Sequence, residues 1–468
     1  MGGTMLLPAL ADLRDGNYNW TIFLYPCAIT TVLATLILLA TRGATCHFSA
    51  RLSFTLTLCL WLTGSIVGAL PFYLSSLPIS LAGAIFESIS GITTTGSTVI
   101  TGLDHLSRSI LLWRSIICWI GGIGFIGLAL LLLPSLRVGG IQLFHMESSD
   151  KSEKILPRIH QIANGIITAY IGLTLACMLS YFAAGMTLFD AINHAMTTIA
   201  TAGFSTHDVS FGYFSDKPAI LIVATIFMLL SALPFVLYIK LLLPGYSKRS
   251  IDPQVIVFLS IVFLFSFSLA TWLRFHNHLP FHKIFLDVIF HLTSVISTTG
   301  YSAEDYQLWG PFALGIFFIV SFTGGCAGST SGGIKINRLI ILWRIAQTNM
   351  TQLLSPNAIV KVRYDRSNIS SDITKAVLLF LCLYMFCLLI GTALLLTTGL
   401  DFTSAYTGAL TALSNIGPGL GSIIGPVGNF STINDHALWI LSALMLAGRL
   451  EIITIFVLFT RSFWNEQF

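Results

Sequence analysis

The chain has 468 residues, of which 55% are hydrophobic and only 9% are charged. Because soluble domains carry roughly 25% charged residues, this composition excludes a soluble globular protein and indicates a polytopic helical membrane protein. The formal net charge of +4 gives no reason to expect a nucleic-acid partner, and the 8 cysteines lack the spacing of a zinc site or a disulfide framework.

Apolar runs of about 20 residues, long enough to cross a bilayer as a helix, recur along the chain. The first segment, Met1–Leu10, is apolar but shorter than this, which favours a chain that begins inside a helix whose span is truncated. Nine full-length spans are predicted after it: Thr21–Ala40, Leu52–Leu74, Ile110–Leu133, Ala163–Ala183, Ala219–Leu243, Val255–Leu273, Phe312–Leu342, Ala376–Leu396 and Ala437–Thr460. The sequence therefore predicts an all-α fold that crosses the membrane many times.

Lysine and arginine residues form clusters, and two predicted spans separate each cluster from the next. The positive-inside rule places such clusters in the cytoplasm and the intervening stretches outside. The clusters are Arg42 and Arg51; Arg137, Lys151, Lys154 and Arg158; Lys240, Lys248 and Arg249; Lys335, Arg338, Arg344, Lys361, Arg363, Arg366 and Lys375; and Arg461. The outer stretches carry carboxylates such as Asp104, Asp208 and Glu304, which either concentrate cations at a pore mouth or are simply solvated.

Between each pair of spans lies a shorter apolar segment that ends in a glycine motif. The four motif glycines, Gly96, Gly203, Gly300 and Gly417, are 107, 97 and 117 residues apart. Repetition at a near-constant period indicates a repeated architecture, here four membrane-pore-membrane repeats around a pseudo-four-fold pore. One motif alone would fit close helix packing through small residues, but four in the same place between spans make that alternative the weaker one.

An apolar segment of about 10–14 residues cannot cross the bilayer and is better explained as a re-entrant pore helix. Such a helix directs its negative C-terminal end at the membrane centre, which favours a cation there. The Thr/Ser-Gly stretch that follows can aim carbonyl oxygens at the ion and replace its hydration shell. His194 and His291, which fall within two of these segments, are predicted to be buried and hydrogen-bonded.

Several long strings of residues surround these motifs. They are Phe86–Gly96, Trp113–Gly124, Gly139–Phe144, Ala200–Asp208, Gly324–Lys335, Asn415–Gly421 and Gly448–Glu451. The strings resemble the Trk/Ktr/HKT superfamily of potassium transporters, and most closely its bacterial TrkH branch. The resemblance covers nearly the whole chain, and the strings that begin at Gly324 and Asn415 are its most specific parts.

The resemblance implies two extra N-terminal helices followed by four repeats, which together make ten spans. In this chain the divisions are residues 1–50 for the extra helices, then 51–138, 139–250, 251–345 and 346–468 for the repeats. K⁺-selective members of the superfamily have glycine at all four filter positions, as this chain does, whereas serine at the first position marks sodium-preferring relatives. Because no repeat carries the full Thr-Val-Gly-Tyr-Gly filter of potassium channels, looser discrimination against Na⁺ is expected.

The resemblance also assigns the residues that coordinate and gate the ion. The predicted K⁺ ligands are Thr93, Thr94, Thr95, Gly96, Thr201, Ala202, Gly203, Thr298, Thr299, Gly300, Asn415, Ile416 and Gly417. The predicted gate is the glycine-rich interruption of one span, with Gly324, Gly325, Gly328, Gly332 and Gly333, together with Arg449.

Both parts of the gate have a physical rationale and an alternative. Glycines weaken a helix by roughly 1 kcal/mol each against alanine, so the interruption is either a gating loop that lines a cavity or a flexible packing kink. A charge inside a span costs at least about 2.5 kcal/mol. The resemblance implies that Arg449 points into the pore, and the alternatives are that it snorkels to the inner interface or pairs with Glu451.

The predicted function is K⁺ uptake across the bacterial inner membrane by the ion-translocating subunit of a Trk-type system. K⁺ is the transported ion, no organic cofactor is expected, and whether transport is channel-like or a symport with H⁺ or Na⁺ stays open. The resemblance implies a homodimer that binds a cytosolic, nucleotide-binding TrkA-type regulatory subunit. The alternatives are a Na⁺-permeable or Na⁺-coupled relative and, from another class, an intramembrane enzyme or a non-conducting receptor, although the sequence has no credible catalytic constellation.

Overall fold

Helices form nearly all the regular structure of the computed structural model. It describes residues 1–17, 19–43, 49–132, 155–242, 252–276, 280–357, 360–365 and 367–464. Some predictions lie outside the described residues: the string Gly139–Phe144, the divisions at 138/139 and 250/251, and the basic residues Arg137, Lys151, Lys154, Lys248, Arg249 and Arg366.

Six of the predicted spans are continuous helices, which follows from their unbroken apolar sequence. They are Trp20–Ala40, Ala50–Leu74, Arg108–Leu132, Ile155–Ala183, Pro253–His276 and Ser371–Leu396. Large apolar side chains along them are exposed, for example Leu38 at 71% and Leu264 at 66%. Such exposure would be unfavourable in water and fits helices that face lipid.

The remaining predictions, Ala219–Leu243, Phe312–Leu342 and Ala437–Thr460, do not form continuous helices. The helix pairs in their place are Pro218–Ser231 with Phe235–Leu242, Pro311–Val320 with Ile336–Leu354, and Asp435–Arg449 with Ile452–Leu458. The break in the second was expected from its glycines, whereas the other two predictions did not anticipate a break in the helix. The first pair is interrupted at Pro234, which has no backbone N–H to donate to a helical hydrogen bond. The last pair bends by 104° beside Glu451, whose φ is 60°.

Four short helices lie where re-entrant segments were predicted. They are Leu81–Ile92, Leu188–Ile199, Phe281–Ile296 and Phe402–Ser414, called pore helices 1 to 4 below. Three of them begin at a capping side chain, because Ser80, Thr187 and Asp401 each accept a hydrogen bond from the backbone amide three residues on. At 12 to 16 residues they are too short to cross the hydrocarbon core.

Each repeat forms one unit, made of two membrane helices and the pore helix between them. The second membrane helix of each unit packs against the pore helix of the next unit. Arg108–Leu132 packs on pore helix 2, Pro218–Ser231 on pore helix 3, and Asp435–Arg449 on pore helix 1. Phe318, from the third unit, contacts Tyr406 of pore helix 4 with 5.8 Å between ring centroids. The units therefore close into a ring whose last member returns to the first.

The remaining elements lie at the edges of this ring. The helix Leu6–Asp15 lies where a truncated first span was predicted, and it packs on Trp20–Ala40 and on Arg108–Leu132. The other short elements are the 3₁₀ helices Gly2–Met5, Leu103–His105, Ser210–Phe214 and Tyr306–Trp309, the helix Arg461–Trp464, and the paired strands Arg363–Tyr364 and Ser367–Asn368.

Candidate ion pathway

The segments that follow the four pore helices share one backbone conformation. They are Thr93–Gly96, Thr201–Gly203, Thr298–Gly300 and Asn415–Gly417, called pore loops 1 to 4 below. In each loop the glycine has a positive φ, and so does the residue two places before it: Thr94 at 55°, Thr201 at 52°, Thr298 at 58° and Asn415 at 55°. Threonine rarely adopts this left-handed conformation. Its recurrence at equivalent positions indicates that the surrounding structure imposes a particular backbone path.

The residue before each glycine donates its backbone N–H to a carbonyl oxygen of its own pore helix. The hydrogen bonds are Thr95 N to Ser90 O at 2.8 Å, Ala202 N to Thr197 O at 2.9 Å, Thr299 N to Ser294 O at 2.9 Å, and Ile416 N to Thr411 O at 3.0 Å. Within the described residues, no donor bonds to the carbonyl oxygens of these four residues. Each loop therefore has its amide satisfied by protein while its carbonyl is left for another partner.

The four loops meet around one axis. Each glycine Cα lies so close to a carbonyl oxygen of the next loop that an added Cβ atom would crowd or collide with it. The contacts are Gly96 with Ala202, Gly203 with Thr299, Gly300 with Ile416, and Gly417 with Thr95. Because the fourth contact returns to the first loop, the predicted ligand residues from all four repeats form a closed ring.

Side chains near the ring hold the loops in place. Thr93 and Thr95 hydrogen-bond each other through their hydroxyls at 2.8 Å, and Ser297 and Thr299 do the same at 2.7 Å in the third repeat. Asn415 differs, because its Nδ2 donates to Thr95 Oγ1 at 2.9 Å and so joins pore loops 4 and 1. The sequence did not reveal this bracing role, since the two residues are 320 positions apart.

The predicted gate glycines lie in a loop directly beneath the ring, from Gly324 to Gly333 and called the gate loop below. Gly332 N donates to Thr298 Oγ1 of pore loop 3 at 2.7 Å. A Cβ atom at Gly332 would collide with the Ser414 carbonyl oxygen, and one at Gly324 would collide with the Gly332 carbonyl oxygen. Both glycines are therefore required by close backbone packing.

The other predicted gate glycines have separate roles. Gly328 and Gly333 have φ values of 78° and 67°, the left-handed region that glycine adopts without strain. A side chain at Gly325 would crowd the Ser331 side chain. The loop is also tied to other repeats, for example by Cys326 N, which donates to Ala232 O at 2.9 Å.

Arg449 is buried against the gate loop, with 1% of its surface exposed. Its Nη1 donates to Thr330 O at 2.8 Å, and its guanidinium carbon lies 4.0 Å from the centroid of the Phe125 ring. Among the described residues, its Nε and Nη2 have no hydrogen-bond partner. The structure has no ion pair between Arg449 and Glu451, both of which lie in its described part, and Glu451 pairs with Arg338 instead.

Lys335, which the sequence placed in a cytoplasmic basic cluster, lies beside Arg449. It is buried in the protein, with 6% of its surface exposed. Its Nζ donates to Ser331 O of the gate loop and lies 5.3 Å from the centroid of the Phe125 ring. No carboxylate in the described residues pairs with Lys335 or with Arg449. The buried guanidinium cation of Arg449 opposes the entry of another cation, and Lys335 adds to this effect when it is protonated.

On the opposite side of the ring, a histidine joins two repeats. His207 Nδ1 lies 2.5 Å from Asp104 Oδ1, and its Nε2 lies 3.6 Å from Asp190 Oδ1. Burial alone would lower the pKa of His207, but the Asp190 and Asp104 carboxylates raise it above its ordinary value. The same ion pair lowers the pKa of Asp104 despite its burial.

Comparison with known proteins gives one consistent family. The family model described as "TrkH: Cation transport protein" matches residues 22–466. The chain is 41% identical to the Trk system potassium uptake protein TrkI of Halomonas elongata, over 99% of this chain and 94% of that protein. It is 36% identical to the Trk system potassium uptake protein TrkH of Escherichia coli, over 99% and 96%. The crystal structure of the potassium transporter TrkH from Vibrio parahaemolyticus superposes with a TM-score of 0.90 at 33% identity, covering 99% and 96% of the two chains.

Proposed function

Because this chain belongs to the TrkH family of cation transport proteins, we propose that it takes up K⁺ across the bacterial inner membrane. It does so as the ion-translocating, multi-pass membrane subunit of a Trk-type system. The observation that carries the proposal is the closed ring of carbonyl oxygens at Thr95, Ala202, Thr299 and Ile416. Such a ring can replace the hydration shell of K⁺ without placing a charged side chain in the path.

We propose that pore loops 1 to 4 form the selectivity filter. The pore helices point their C-terminal ends toward the ring, where their dipoles favour a cation. Glycine at every ring position lets neighbouring loops touch through backbone atoms, which fixes the size of the opening. A serine at any of these positions would add a Cβ atom where a carbonyl oxygen lies.

We propose that the gate loop and Arg449 control passage below the filter. The gate loop is hydrogen-bonded to pore loop 3, and Arg449 is bonded to the gate loop, so movement of one changes the others. The buried charges of Arg449 and Lys335 would raise the electrostatic barrier to a cation in the closed state.

We propose two further assignments that follow from the family resemblance. The protein would work as a homodimer and would bind a cytosolic TrkA-type subunit that senses nucleotide. The names of the relatives describe a Trk system, which supports a membrane subunit that acts with other components. A symport with H⁺ or Na⁺ remains one form that uptake could take, and a Na⁺-permeable relative is the alternative function.

The test is rescue of a potassium-uptake-deficient bacterium at low external K⁺. Wild-type protein is expected to restore growth, whereas Gly203→Ser is expected to impair it, because the new side chain would collide with the Thr299 carbonyl oxygen. Gly172→Ser is the matched control, since a Cβ atom there meets nothing within 4 Å. Equal rescue by Gly203→Ser and Gly172→Ser would contradict the filter assignment, and competition between Rb⁺ and Na⁺ uptake separates the Na⁺-permeable alternative.

A further inference from the structure

One position recurs in all four pore helices, nine residues before the ring glycine. It is occupied by Glu87, His194, His291 and Gly408 in the four repeats. The residue therefore differs in charge between repeats, although its place in the fold is the same. Glu87 gives pore helix 1 the only carboxylate at this position, and its side chain is fully buried.

Glu87 holds the segment that follows pore loop 1. Its Oε2 accepts a hydrogen bond from Val99 N at 2.9 Å, and its Oε1 accepts one from Thr98 Oγ1 at 2.9 Å. Val99 is three residues beyond Gly96, so this carboxylate fixes the chain where it leaves the ring. A buried carboxylate needs several donors, and here the loop supplies two of them.

Arg114 supplies the third donor and connects a second repeat. Its Nε lies 2.9 Å from Glu87 Oε1, and the two side chains are 1% and 0% exposed. Its Nη1 donates to Ser205 O at 2.8 Å, and its guanidinium carbon lies 4.2 Å from the centroid of the Phe204 ring. Phe204 and Ser205 directly follow Gly203, so the same guanidinium also fixes the exit of pore loop 2.

The other repeats brace the same segment with neutral groups. His291 Nε2 accepts from Ala303 N at 3.0 Å, which is also three residues beyond its ring glycine. His194 Nε2 contacts Ser205 Oγ at 3.0 Å. In the fourth repeat the neighbouring Thr407 Oγ1 accepts from Leu420 N at 3.0 Å. Each of these braces serves its own loop, whereas the ion pair of Glu87 and Arg114 serves two.

We propose that Glu87 and Arg114 are positioning residues for K⁺ discrimination, which rests on the filter proposed above. Neither touches the ion. Their buried ion pair holds pore loops 1 and 2 at a fixed separation, and this keeps the carbonyl ring from contracting around the smaller Na⁺. The rigidity of a filter is one of the properties that can set its selectivity.

Two variants test this role. The double variant Glu87→Gln and Arg114→Gln removes both charges together, so no buried charge is left unpaired. Glu87→Asp keeps both charges but shortens the side chain, which withdraws the carboxylate from Val99 N. The control is Arg338→Gln with Glu451→Gln, because that pair is also an ion pair but lies beyond the gate loop.

Purified proteins in vesicles give the readout, which is the ratio of Rb⁺ to Na⁺ uptake, with thermal unfolding measured in parallel. The ratio is expected to fall at least about threefold in both Glu87 variants and to stay at the wild-type value in the control. This result separates positioning from a general role in stability, because loss of stability lowers both fluxes together.

A wild-type ratio in Glu87→Asp, or in the folded double variant, would overturn the proposal. Gly203→Ser is measured beside them to distinguish failure of the positioning role from failure of the filter assignment. If Gly203→Ser lowers the ratio and Glu87→Asp does not, only the positioning role fails. If neither changes the ratio, the filter assignment fails and the positioning role fails with it.

Discussion

The ring of pore loops and the gate loop beneath it differ in symmetry: the ring has four equivalent parts, whereas the gate loop is a single segment. The ring uses four equivalent segments. Each has a residue with left-handed backbone two places before its glycine, the same backbone hydrogen bond to its pore helix, and the same close contact between its glycine and the next loop. The gate loop occurs once, in the third repeat, and two buried basic residues outside it, Lys335 and Arg449, contact it. An ion that sheds its water needs oxygen atoms from all sides, whereas a barrier needs only one movable segment.

The two regions also differ in which of their polar atoms lack a hydrogen-bond partner among the described residues. At the ring, carbonyl oxygens lack donors among the described residues, which favours a cation. Beneath it, Arg449 Nε and Nη2 have no acceptor in the part of the chain that the structure describes, and this positive charge disfavours a cation. The two regions therefore act on the ion in opposite directions at neighbouring depths. Variants that change one region without the other separate the two effects.

The largest effect is expected at the ring. Gly96→Ala places a Cβ atom against the Ala202 carbonyl oxygen at a residue whose φ is 86°. Loss of about 3 kcal/mol of favourable ion coordination would lower Rb⁺ uptake roughly 100-fold. Uptake of radioactive Rb⁺ into vesicles measures this, with Gly172→Ala as the control. Uptake close to that of the control would show that the ring does not depend on glycine.

A smaller effect of opposite sign is expected beneath the ring. Arg449→Ala removes a buried cation, two of whose nitrogen atoms have no partner among the described residues. Rb⁺ uptake should therefore rise by about tenfold, which corresponds to a barrier lower by roughly 1.4 kcal/mol. Lys335→Met should raise uptake less, because Lys335 retains a partner at Ser331 O. The exposed residue Arg461 provides the control variant Arg461→Ala. Reduced uptake in Arg449→Ala would mean that the charge assists conduction.

The smallest effect is expected at His207, on the far side of the ring. Because its pKa is raised in the folded protein, its ion pairs stabilise the fold fully below the unfolded pKa of about 6.5. This contribution is lost as pH rises through the raised pKa. The difference in unfolding free energy between wild type and His207→Gln should therefore shrink with rising pH, by roughly 1 kcal/mol or less.

Thermal unfolding across this pH range measures the effect, and His105→Gln is the control because His105 is exposed. A difference between wild type and His207→Gln that does not change with pH would show that His207 contributes by packing alone. Its ring does stack on Tyr213, with centroids 3.6 Å apart, so this outcome has a physical explanation.

The general architecture could be predicted from the sequence because its signals are local and repeated. Long apolar runs indicate spans, and the recurrence of Gly96, Gly203, Gly300 and Gly417 indicates a four-fold arrangement. The burial and hydrogen bonding of His194 and His291 were also predicted correctly. The convergence of pore loops 1 to 4 is visible in the structure, while their role as ligands stays a prediction.

Other features could not be predicted because they depend on contacts between distant segments. The burial of Lys335 could not be predicted from its position after an apolar run, because it depends on the gate loop folding back against it. The bridge from Asn415 to Thr95 and the pair of Glu87 with Arg114 likewise join separate elements. The bend between Arg449 and Ile452 could not be located from the sequence, because the two residues at it, Leu450 and Glu451, are neither glycine nor proline, and Glu451 nevertheless adopts a positive φ.

Crystallography of the protein crystallised with Rb⁺, with anomalous scattering to locate the ion, tests the carbonyl ring itself. Rb⁺ is expected on the axis, coordinated by the carbonyl oxygens of Thr95, Ala202, Thr299 and Ile416. Rb⁺ bound only at side-chain carboxylates, with the axis between these four residues empty, would contradict it.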